Sequence, residues 1–394
     1  MIDQSTLHNL DWEQILEIDL HIYNTLPRKH ILAELKSALN LLFFYDFNLE
    51  AREECFDFLF FKSMERDDYK ELFDKIISSC NHSKKSIDLI PRQSKILRLY
   101  RLFPLRRTFS LLKKFGSRNL LKTAFILSKT LFYLSVSDNI LKNNQFNHLV
   151  VFADMQPIDN LLTQICNLMK IPTTTLQHGI YIDYSKAPNI NKVNYENSPS
   201  NTFLAWGDST GQLIKQYHPL KRIVVCGKPT LANITSSNKS NYFTVLFDQN
   251  LMAKKNREML TMAYEISKET GLRVNIRLHP RNNPLSYQIR KSSPINQDVF
   301  KSHFILAHTT SLIHELMRLG FPVFKYDTDI PSITVPDELK FSSTQEFFTK
   351  LNTIEKNQIQ PESLASDFIA TIGDSSLMEY KQFFDSAKVS ITRT

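Results

Sequence analysis

Glycine and cysteine are both scarce in this chain, which has 8 glycines and 4 cysteines among 394 residues. Phosphate-binding loops of the P-loop and GxGxxG types need several closely spaced glycines, and neither pattern occurs. The cysteines are scattered, without the paired spacing of a zinc site or the framework of a disulfide-rich domain. These absences exclude the glycine-rich nucleotide motifs and favour a reducing compartment.

Secretory and membrane-spanning segments are not expected either. The first residues are polar and acidic, unlike a signal peptide, and we expect the apolar runs to fall short of the ~20 residues that a spanning helix needs. The sequence therefore predicts a cytoplasmic protein, and its length suggests two domains of ordinary size.

Acidic residues are missing from 92–129, where eleven Lys or Arg give a local charge of +11, against +8 for the whole chain and −3 for the remainder. Apolar residues alternate with these basic ones, which predicts a helical basic segment over 92–135. Such a helix can lie on an anionic membrane surface; a solvated basic face on a helix pair is the alternative. Nucleic acid is not expected as a partner, because no recognised binding motif accompanies the charge.

The coarse pattern of apolar residues predicts an α/β protein. A first strand is expected around Ile15–Ile22, and helical spacing from Lys29 to Cys80 places the phenylalanines of 56–61 in a helical core. From Phe146 onward, short apolar strands alternate with amphipathic helices, which indicates βαβ units.

The second half of the chain holds two polar clusters at predicted strand ends. Arg277 and His279 follow the strand that begins at Val274, and Thr309, Thr310 and Ser311 lie between the strand Phe304–Ala307 and a helix. Ligands of such sheets bind beyond the carboxyl ends of the strands. We expected the two clusters on neighbouring strands, forming a phosphate or diphosphate site. Glu315, one helical turn on, is predicted to accept hydrogen bonds from sugar hydroxyls; a solvated helix charge is the alternative.

The first half carries its own strand-end residues. Asp154 ends the strand that begins at Phe146, and Gln177, His178 and Gly179 end the next strand. A histidine of near-neutral pKa at this edge is a candidate general base, with Gly179 allowing a tight turn. Asp183, in the polar loop that follows, is a weaker candidate for contact with a substrate.

The ordered motifs resemble a known superfamily. They are His178-Gly179, Ala205-Trp206-Gly207, Gly227-Lys228-Pro229, Arg277-Leu278-His279-Pro280, and His308 to Ser311 followed by Glu315 and Gly320-Phe321-Pro322-Val323. In this order they resemble the GT-B glycosyltransferases, particularly those of bacterial capsule and surface-polysaccharide biosynthesis. They are also similar to the teichoic-acid glycerophosphotransferases. The resemblance spans about 146–326.

This resemblance implies two Rossmann-like domains facing across a cleft, with added helices in the N-terminal part. Residues 1–204 would form an acceptor-binding domain and 205–370 a nucleotide-donor domain. The C-terminal helix, 371–394, would pack back on the first domain.

The resemblance also implies roles for the candidate residues. His178 would be the catalytic base, and the donor phosphate would bind to Arg277, His279 and the hydroxyls of Thr309–Ser311. Glu315 would contact the donor sugar or ribose, while Asp154, Gln177, Gly179 and Asp183 would line the acceptor side. We assigned no Asp-x-Asp metal motif, so neither a metal nor a cofactor is expected beside the nucleotide-sugar donor.

Two other functions stay open. A polyol-phosphate transferase using a CDP-glycerol-type donor, or a sialyltransferase, would use the same residues, although Gln177-His178-Gly179 replaces the acidic pair that precedes glycine in bacterial sialyltransferases. A non-catalytic nucleotide- or glycan-binding protein is the other alternative. The expected product is a surface glycan built on a glycan or lipid-linked acceptor at the inner face of the membrane.

Overall fold

A computed structural model gives the fold of most of the chain. The residues that it describes are 2, 4–46, 54–89, 92, 93, 101, 119–183, 192–231, 239–279, 282–287, 289, 290, 293–330 and 333–391.

The chain divides into two compact units. Unit 1 comprises Met1–Ala205, Gly211–Cys226 and Ser376–Thr394, and unit 2 comprises Trp206–Thr210 and Gly227–Ser375. Each unit is built around its own parallel sheet with helices, which is the Rossmann-like α/β arrangement predicted from the sequence.

Unit 1 begins with helices. In chain order its helices are α1 Gln4–Asn9, α2 Trp12–Thr25, α3 Arg28–Phe44, α4 Asp67–Ser79, α5 Leu120–Asn143, α6 Pro157–Leu168, α7 Val193–Glu196 and α8 Asp208–Tyr217, whose first residues belong to unit 2. Its strands are β1 Tyr45–Asp46, β2 Cys55–Lys62, β3 Lys84–Asp88, β4 Arg92–Gln93, β5 Gln145–Val151, β6 Thr173–Leu176, β7 Thr202–Ala205 and β8 Arg222–Val225.

The main sheet of unit 1 is six-stranded and parallel, in the order β3-β2-β5-β6-β7-β8, and β1 pairs with β4 separately. Strands buried on both faces become nearly continuous apolar runs, as in β5, where Leu149, Val150 and Val151 are fully buried.

A continuous apolar run also explains why the helix predicted for 56–61 is wrong. These residues lie on β2, not on a helix, and Phe58, Phe60 and Phe61 are fully buried. A short apolar run has no clear period, so its aromatic richness was the better indicator of a strand.

The predicted strand around Ile15–Ile22 is also wrong, because this stretch forms part of helix α2. Ile15, Leu16 and Asp19 are buried at helical spacing. Asp11 caps the helix by accepting hydrogen bonds from the N–H groups of Glu13 and Gln14, both at 3.1 Å. The Asp cap was the signal for a helix start.

Helix α5 covers the end of the predicted basic segment, whose residues 94–100 and 102–118 lie outside the described part of the chain. At its start, Arg92–Gln93 is a strand and not a helix. Contrary to expectation, α5 has the length and apolarity of a membrane-spanning helix, yet 56% of its most apolar window is buried inside the protein. A buried core helix meets the same criteria.

The described residues of unit 2 form five strands, β9 Tyr242–Leu246, β10 Arg273–Arg277, β11 Ile305–Ala307, β12 Val323–Tyr326 and β13 Lys340–Phe341. Its helices are α9 Ala253–Thr270, α10 Leu312–Arg318, α11 Thr344–Asn357, α12 Pro361–Leu364 and the start of α13 Gly373–Ile391, with single 3-10 turns at Asn250–Met252, Pro284–Ser286, Val299–Lys301 and Asp337–Leu339.

The sheet of unit 2 is parallel, in the order β10-β9-β11-β12-β13. The predicted strand–turn–helix–strand unit is confirmed by β11, α10 and β12, with Gly320 at φ +84° ending the helical segment. The expectation that β10 and β11 are neighbours is wrong, because β9 lies between them. Their ends are therefore about 10 Å apart, two strand spacings.

Helix α13 packs on unit 1 from Ser376 onward. Asp385 contacts His82 at 2.8 Å, and Lys388 donates to Asp57 at 2.9 Å. Phe384 makes an edge contact with the ring of Phe58, with ring centroids 5.3 Å apart. The last helix of the chain is thus part of the first unit.

Candidate functional site

The carboxyl edge of the unit 1 sheet holds His178, two residues beyond β6. Its side chain is buried among aromatic rings, with centroids 5.7 Å from Tyr69, 5.8 Å from Phe152 and 5.6 Å from Tyr181. The hydroxyl of Tyr181 lies 3.2 Å from Nδ1. Burial lowers the pKa of His178 to about 4, although the charge of Asp154 acts in the opposite direction.

This pKa differs from the near-neutral value expected from the sequence. The strand-end position was visible in the sequence, but the aromatic rings that remove water from the imidazole come from α4, from the end of β5 and from the loop after His178. At pH 7 the imidazole is therefore neutral, which is the form that accepts a proton, but it is a weaker base than an exposed histidine.

Asp154 is buried and already has several partners. Its carboxylate accepts hydrogen bonds from the hydroxyl of Ser198 at 2.7 Å and the N–H of Ser200 at 3.0 Å. Lys221 lies 3.8 Å away and also donates to Ser198. This network holds the segment before β7 against the end of β5, so the structure gives Asp154 a positioning role, and a role toward an acceptor stays a prediction.

Gln177 and Gly179 flank the histidine in different ways. The buried amide of Gln177 donates to the carbonyl of Gly179 at 2.7 Å. Gly179 does not have a positive φ, so the expected tight turn is not the reason for glycine here. A Cβ added to Gly179 would meet nothing within 4 Å, which leaves open space beside the histidine. Asp183 is exposed.

Sequence analysis missed a buried carboxyl at the same edge. Asp159, in the first turn of α6, accepts a hydrogen bond from the hydroxyl of Ser63, which directly follows β2. Burial raises the pKa of Asp159 to about 8, so that the carboxyl is mostly protonated at pH 7. The signal was an acidic residue in the first turn of a helix that starts with Pro157, and only the fold shows that it is buried.

In unit 2, the turn after β11 lies at the carboxyl edge, as the sequence predicted. The N–H of Thr309 donates to the carboxylate of Asp248 at 3.0 Å, and the hydroxyl of Thr310 accepts from the N–H of Leu312 at 3.3 Å. Ser311 occupies the N-cap position of α10 without a side-chain capping bond, and it is exposed. The three residues are brought together, with their hydroxyls near the surface.

Asp248, which sequence analysis did not single out, organises this edge. It follows β9 and is 5% exposed. Besides Thr309, its carboxylate contacts Nδ1 of the fully buried His308 at 2.9 Å, and Nε2 of His308 contacts the hydroxyl of Thr328 at 2.8 Å. The sequence shows that Asp248 ends a strand, but it does not show that its partner is His308 at the end of the adjacent strand β11.

Arg277 and His279 lie at the end of β10, with Arg277 exposed and His279 half-buried. Strand β9 and Asp248 separate them from the Thr309–Ser311 turn. A single phosphate spans only a few ångströms, whereas a diphosphate or a longer ligand is needed to contact both groups across about 10 Å.

Glu315 is not the solvated helix charge that we considered as its alternative. Its carboxylate pairs with Nζ of Lys228 at 2.7 Å, and the two side chains are 15% and 12% exposed. The ammonium also lies 4.7 Å from the ring centroid of Trp206. A contact with the donor sugar or ribose stays a prediction, and in this structure the charge of Glu315 is neutralised by lysine.

Two glycines of the ordered motifs have packing reasons. A Cβ at Gly207 would lie 2.4 Å from the carbonyl oxygen of Asp367, and one at Gly227 would lie 2.1 Å from that of Thr371. Gly227 also has a φ of +77°. Both glycines thus let the chain pass against 367–371, and they carry structural information and no direct evidence of a ligand.

We expected no metal site because we assigned no Asp-x-Asp motif in the sequence. That reason is wrong, since Asp327-Thr328-Asp329 has the Asp-x-Asp spacing. Asp327 lies 3.3 Å from Nζ of Lys325, and Asp329 lies 3.8 Å from Nζ of Lys255. Among the described residues, no group of three or more His, Cys, Asp or Glu side chains is arranged to hold a metal ion.

Comparison with solved structures identifies the fold. A putative UDP-N-acetylglucosamine 2-epimerase from Listeria monocytogenes matches with a TM-score of 0.55 at 11% identity, covering 86% of this chain and 97% of its own. The S. aureus MnaA-UDP co-structure matches with a TM-score of 0.52 at 14% identity, covering 86% and 97%. The UDP-GlcNAc 2-epimerase from Neisseria meningitidis bound to UDP-GlcNAc has a TM-score of 0.51 at 13% identity, covering 84% and 99%.

The chain has the GT-B fold. The scan against protein-family models found no match, and neither did the search of curated proteins by sequence. At 11–14% identity the likeness shows the fold alone. The GT-B fold places the carboxyl edges described above where open parallel sheets bind ligands.

Proposed function

We propose that this GT-B protein is a nucleotide-sugar-dependent glycosyltransferase that extends a surface glycan. The observation that supports it most directly is the carboxyl edge of unit 2, where Arg277 and His279 lie at the end of β10 and three consecutive hydroxyl residues, Thr309–Ser311, follow β11. Hydrogen bonds from charged or hydroxyl donors to phosphate are stronger than neutral ones. A nucleoside diphosphate is long enough to contact both groups.

Unit 1 supplies the second half of the proposal. His178 is the candidate base that takes the proton from the acceptor hydroxyl, with Gly179 leaving space for the approach of the acceptor. Because burial lowers the pKa of His178 to about 4, it is a weaker base than an exposed histidine, and we place its contribution near the lower end of general-base catalysis, about 100-fold. We therefore expect much of the rate to come from stabilising the departing diphosphate with Arg277, His279 and the Thr309–Ser311 hydroxyls.

The acceptor is proposed to be lipid-linked or otherwise held at the inner face of the membrane. The basic residues of 92–129 other than the buried Arg101 and Lys129, which pairs with Asp19 at 3.5 Å, support this, since each basic residue near an anionic leaflet contributes about 1 kcal/mol. Sedimentation with anionic liposomes at low and high salt tests it. Salt-sensitive association is expected, and no association at low salt would leave the solvated-face interpretation.

The decisive experiment begins with a ligand screen. Because a ligand that binds only the native state raises apparent stability, by about 2.7 kcal/mol at a hundred times its Kd, UDP, CDP, CMP and GDP are compared by thermal unfolding. UDP is the first candidate, since it is named in the S. aureus structure.

Turnover of the matching nucleotide sugar is then followed with and without glycan acceptors. Release of nucleotide that depends on an acceptor is expected for the transferase. Epimerisation of the donor without any acceptor, transfer of a polyol phosphate from CDP-glycerol, or binding without turnover would each replace the proposal with a different function.

A further inference from the structure

A series of side-chain hydrogen bonds, from Asp248 to His308 to Thr328, crosses the carboxyl edge of unit 2. The function proposed above does not use it. The series joins the ends of three adjacent strands, β9, β11 and β12. His308 is fully buried and Asp248 is 5% exposed, while Thr328 is half-exposed at the surface of the edge. Because these hydrogen bonds end at the hydroxyl of Thr328, they fix the orientation of that hydroxyl.

The direction of each hydrogen bond follows from its partners. The Oδ2 atom of Asp248 already accepts the N–H of Thr309 at 3.0 Å, so it acts as an acceptor. His308 therefore donates its Nδ1–H to Asp248 at 2.9 Å. When the ring carries its proton on Nδ1 alone, Nε2 holds the lone pair and accepts the hydroxyl hydrogen of Thr328 at 2.8 Å.

Thr328 is left as an acceptor toward ligands. Its hydrogen points to His308, and one of its two lone pairs accepts the N–H of Ile330 at 3.3 Å. No donor among the described residues contacts the other lone pair, which is therefore the position for a donor from the ligand. A phosphate oxygen has no hydrogen to give, whereas a sugar hydroxyl does.

The acceptor oxygens around Thr328 favour the same kind of ligand. Asp327 and Asp329 flank it, and their side chains are 48% and 90% exposed. Their nearest described lysines are Lys325, at 3.3 Å from Asp327, and Lys255, at 3.8 Å from Asp329. Carboxylate oxygens beside the hydroxyl accept further hydrogen bonds from a polyol.

We propose that Thr328, oriented by His308 and Asp248, is a hydroxyl-accepting subsite for a sugar ring of the bound nucleotide sugar. This rests on the proposed nucleotide-sugar binding and adds which part of the ligand the end of β12 recognises. The Thr309–Ser311 turn, on the adjacent strand, takes the phosphates, and Thr328 selects a ring that offers a hydroxyl. The ring is either the ribose or the transferred sugar, which share this chemistry.

The test compares pyrophosphate, UDP and UDP-GlcNAc as calorimetric probes of wild-type protein and of Thr328→Val. Loss of one hydrogen bond is expected to weaken the sugar-containing ligands roughly tenfold, with pyrophosphate binding unchanged. Equal weakening of UDP and UDP-GlcNAc assigns the ribose, and weakening of UDP-GlcNAc alone assigns the transferred sugar.

Two matched variants control for folding. Thr328→Ser keeps the hydroxyl and should bind all probes like wild type, and Thr334→Val removes a hydroxyl from an exposed residue of the same loop region and should change nothing. Weakening of pyrophosphate to the same extent, no weakening of any probe, or failure of the serine variant to restore binding would overturn the subsite.

Failure of the proposed function gives a different result. If wild-type protein binds none of the three probes, nucleotide-sugar binding is wrong, and the sugar subsite falls with it. If wild type binds them and only the Thr328→Val effect is missing, the proposed function stands and the subsite alone is wrong.

Discussion

His178 and His308 occupy equivalent places in the two units, each just beyond a strand of a parallel sheet, yet their surroundings are opposite. His178 faces Tyr69, Phe152 and Tyr181, and burial lowers its pKa to about 4. His308 is held between a carboxylate and a hydroxyl at 2.9 and 2.8 Å.

The topology places both histidines at the edge of a sheet where ligands bind, while the neighbouring side chains determine the chemistry of each imidazole. Burial among aromatic rings keeps an imidazole neutral. An imidazole with a carboxylate on one side has a fixed tautomer and orients whatever bonds to the other side. We therefore expect the unit 1 histidine to act on protons and the unit 2 histidine to position a ligand.

The largest effect is expected on the turnover of a variant without the unit 1 histidine. His178→Ala should lower turnover by at least about 100-fold while leaving nucleotide affinity unchanged, because the base acts on the acceptor. Steady-state kinetics and calorimetry measure the two quantities.

The matched control for that experiment is His148→Gln. His148 is buried in β5 of the same unit, and burial also lowers its pKa to about 4. Its Nε2 contacts Thr174 at 2.8 Å, within the sheet. Turnover per folded molecule should be retained by this control. Retained turnover in His178→Ala would remove His178 from the mechanism.

The next effect concerns donor binding at unit 2. Arg277→Ala should weaken nucleotide diphosphate binding by about 10-fold or more, since bonds to charged groups contribute about 1.5–3 kcal/mol. Arg273→Ala is the matched control, because Arg273 is an exposed arginine at the opposite end of the same strand. Similar affinities for the two variants in calorimetry would exclude Arg277 from the donor site.

Substitutions at two glycines distinguish an effect on packing from an effect on the approach of a ligand. Gly207→Ala should lower the free energy of unfolding by about 1–3 kcal/mol, because its Cβ would lie 2.4 Å from a backbone oxygen. Gly179→Ala should leave stability unchanged, since its Cβ would meet nothing within 4 Å, but should reduce turnover if the acceptor passes there. Denaturant unfolding and kinetics check both, and wild-type turnover in Gly179→Ala would place the acceptor elsewhere.

The last prediction is a pH dependence of the stability of unit 1. Burial lowers the pKa of His148 and His178 to about 4, so protons favour the unfolded state and stability is lost as pH falls from about 6.5 towards 4. Asp159, whose pKa burial raises to about 8, has the opposite sign, and stability falls as pH rises towards 8. Each group contributes about 1.4 kcal/mol per pH unit within its window.

These slopes predict a stability maximum of unit 1 near pH 6.5, measurable by hydrogen exchange of peptides from β5. Asp159→Asn should abolish the decline above that pH, while Asp74→Asn, an exposed carboxylate on α4, should retain it. A decline that persists in Asp159→Asn would show that another group causes it.

The fold class and several polar residues at the carboxyl ends of strands were predicted correctly from the sequence. The strands β5, β6, β11 and β12 are short apolar runs bounded by turn residues, and that pattern is local. Prediction from the sequence failed for β2 and α2, where the apolar period was ambiguous over a few residues. It also placed β10 beside β11, because strand order depends on which crossover passes over which strand and not on the residues of either strand.

The sequence by itself determined two α/β halves, a run of strand-end polar residues and the concentration of positive charge at 92–129. Only the tertiary structure decided that Asp248 and Thr328 enclose His308, that Lys228 neutralises Glu315, and that Asp159 is buried. Asp248 and His308 are 60 positions apart in the sequence, and His308 and Thr328 are 20 positions apart. The physical reason is that burial and electrostatic partners are properties of several strands together, whereas propensity and periodicity are properties of one.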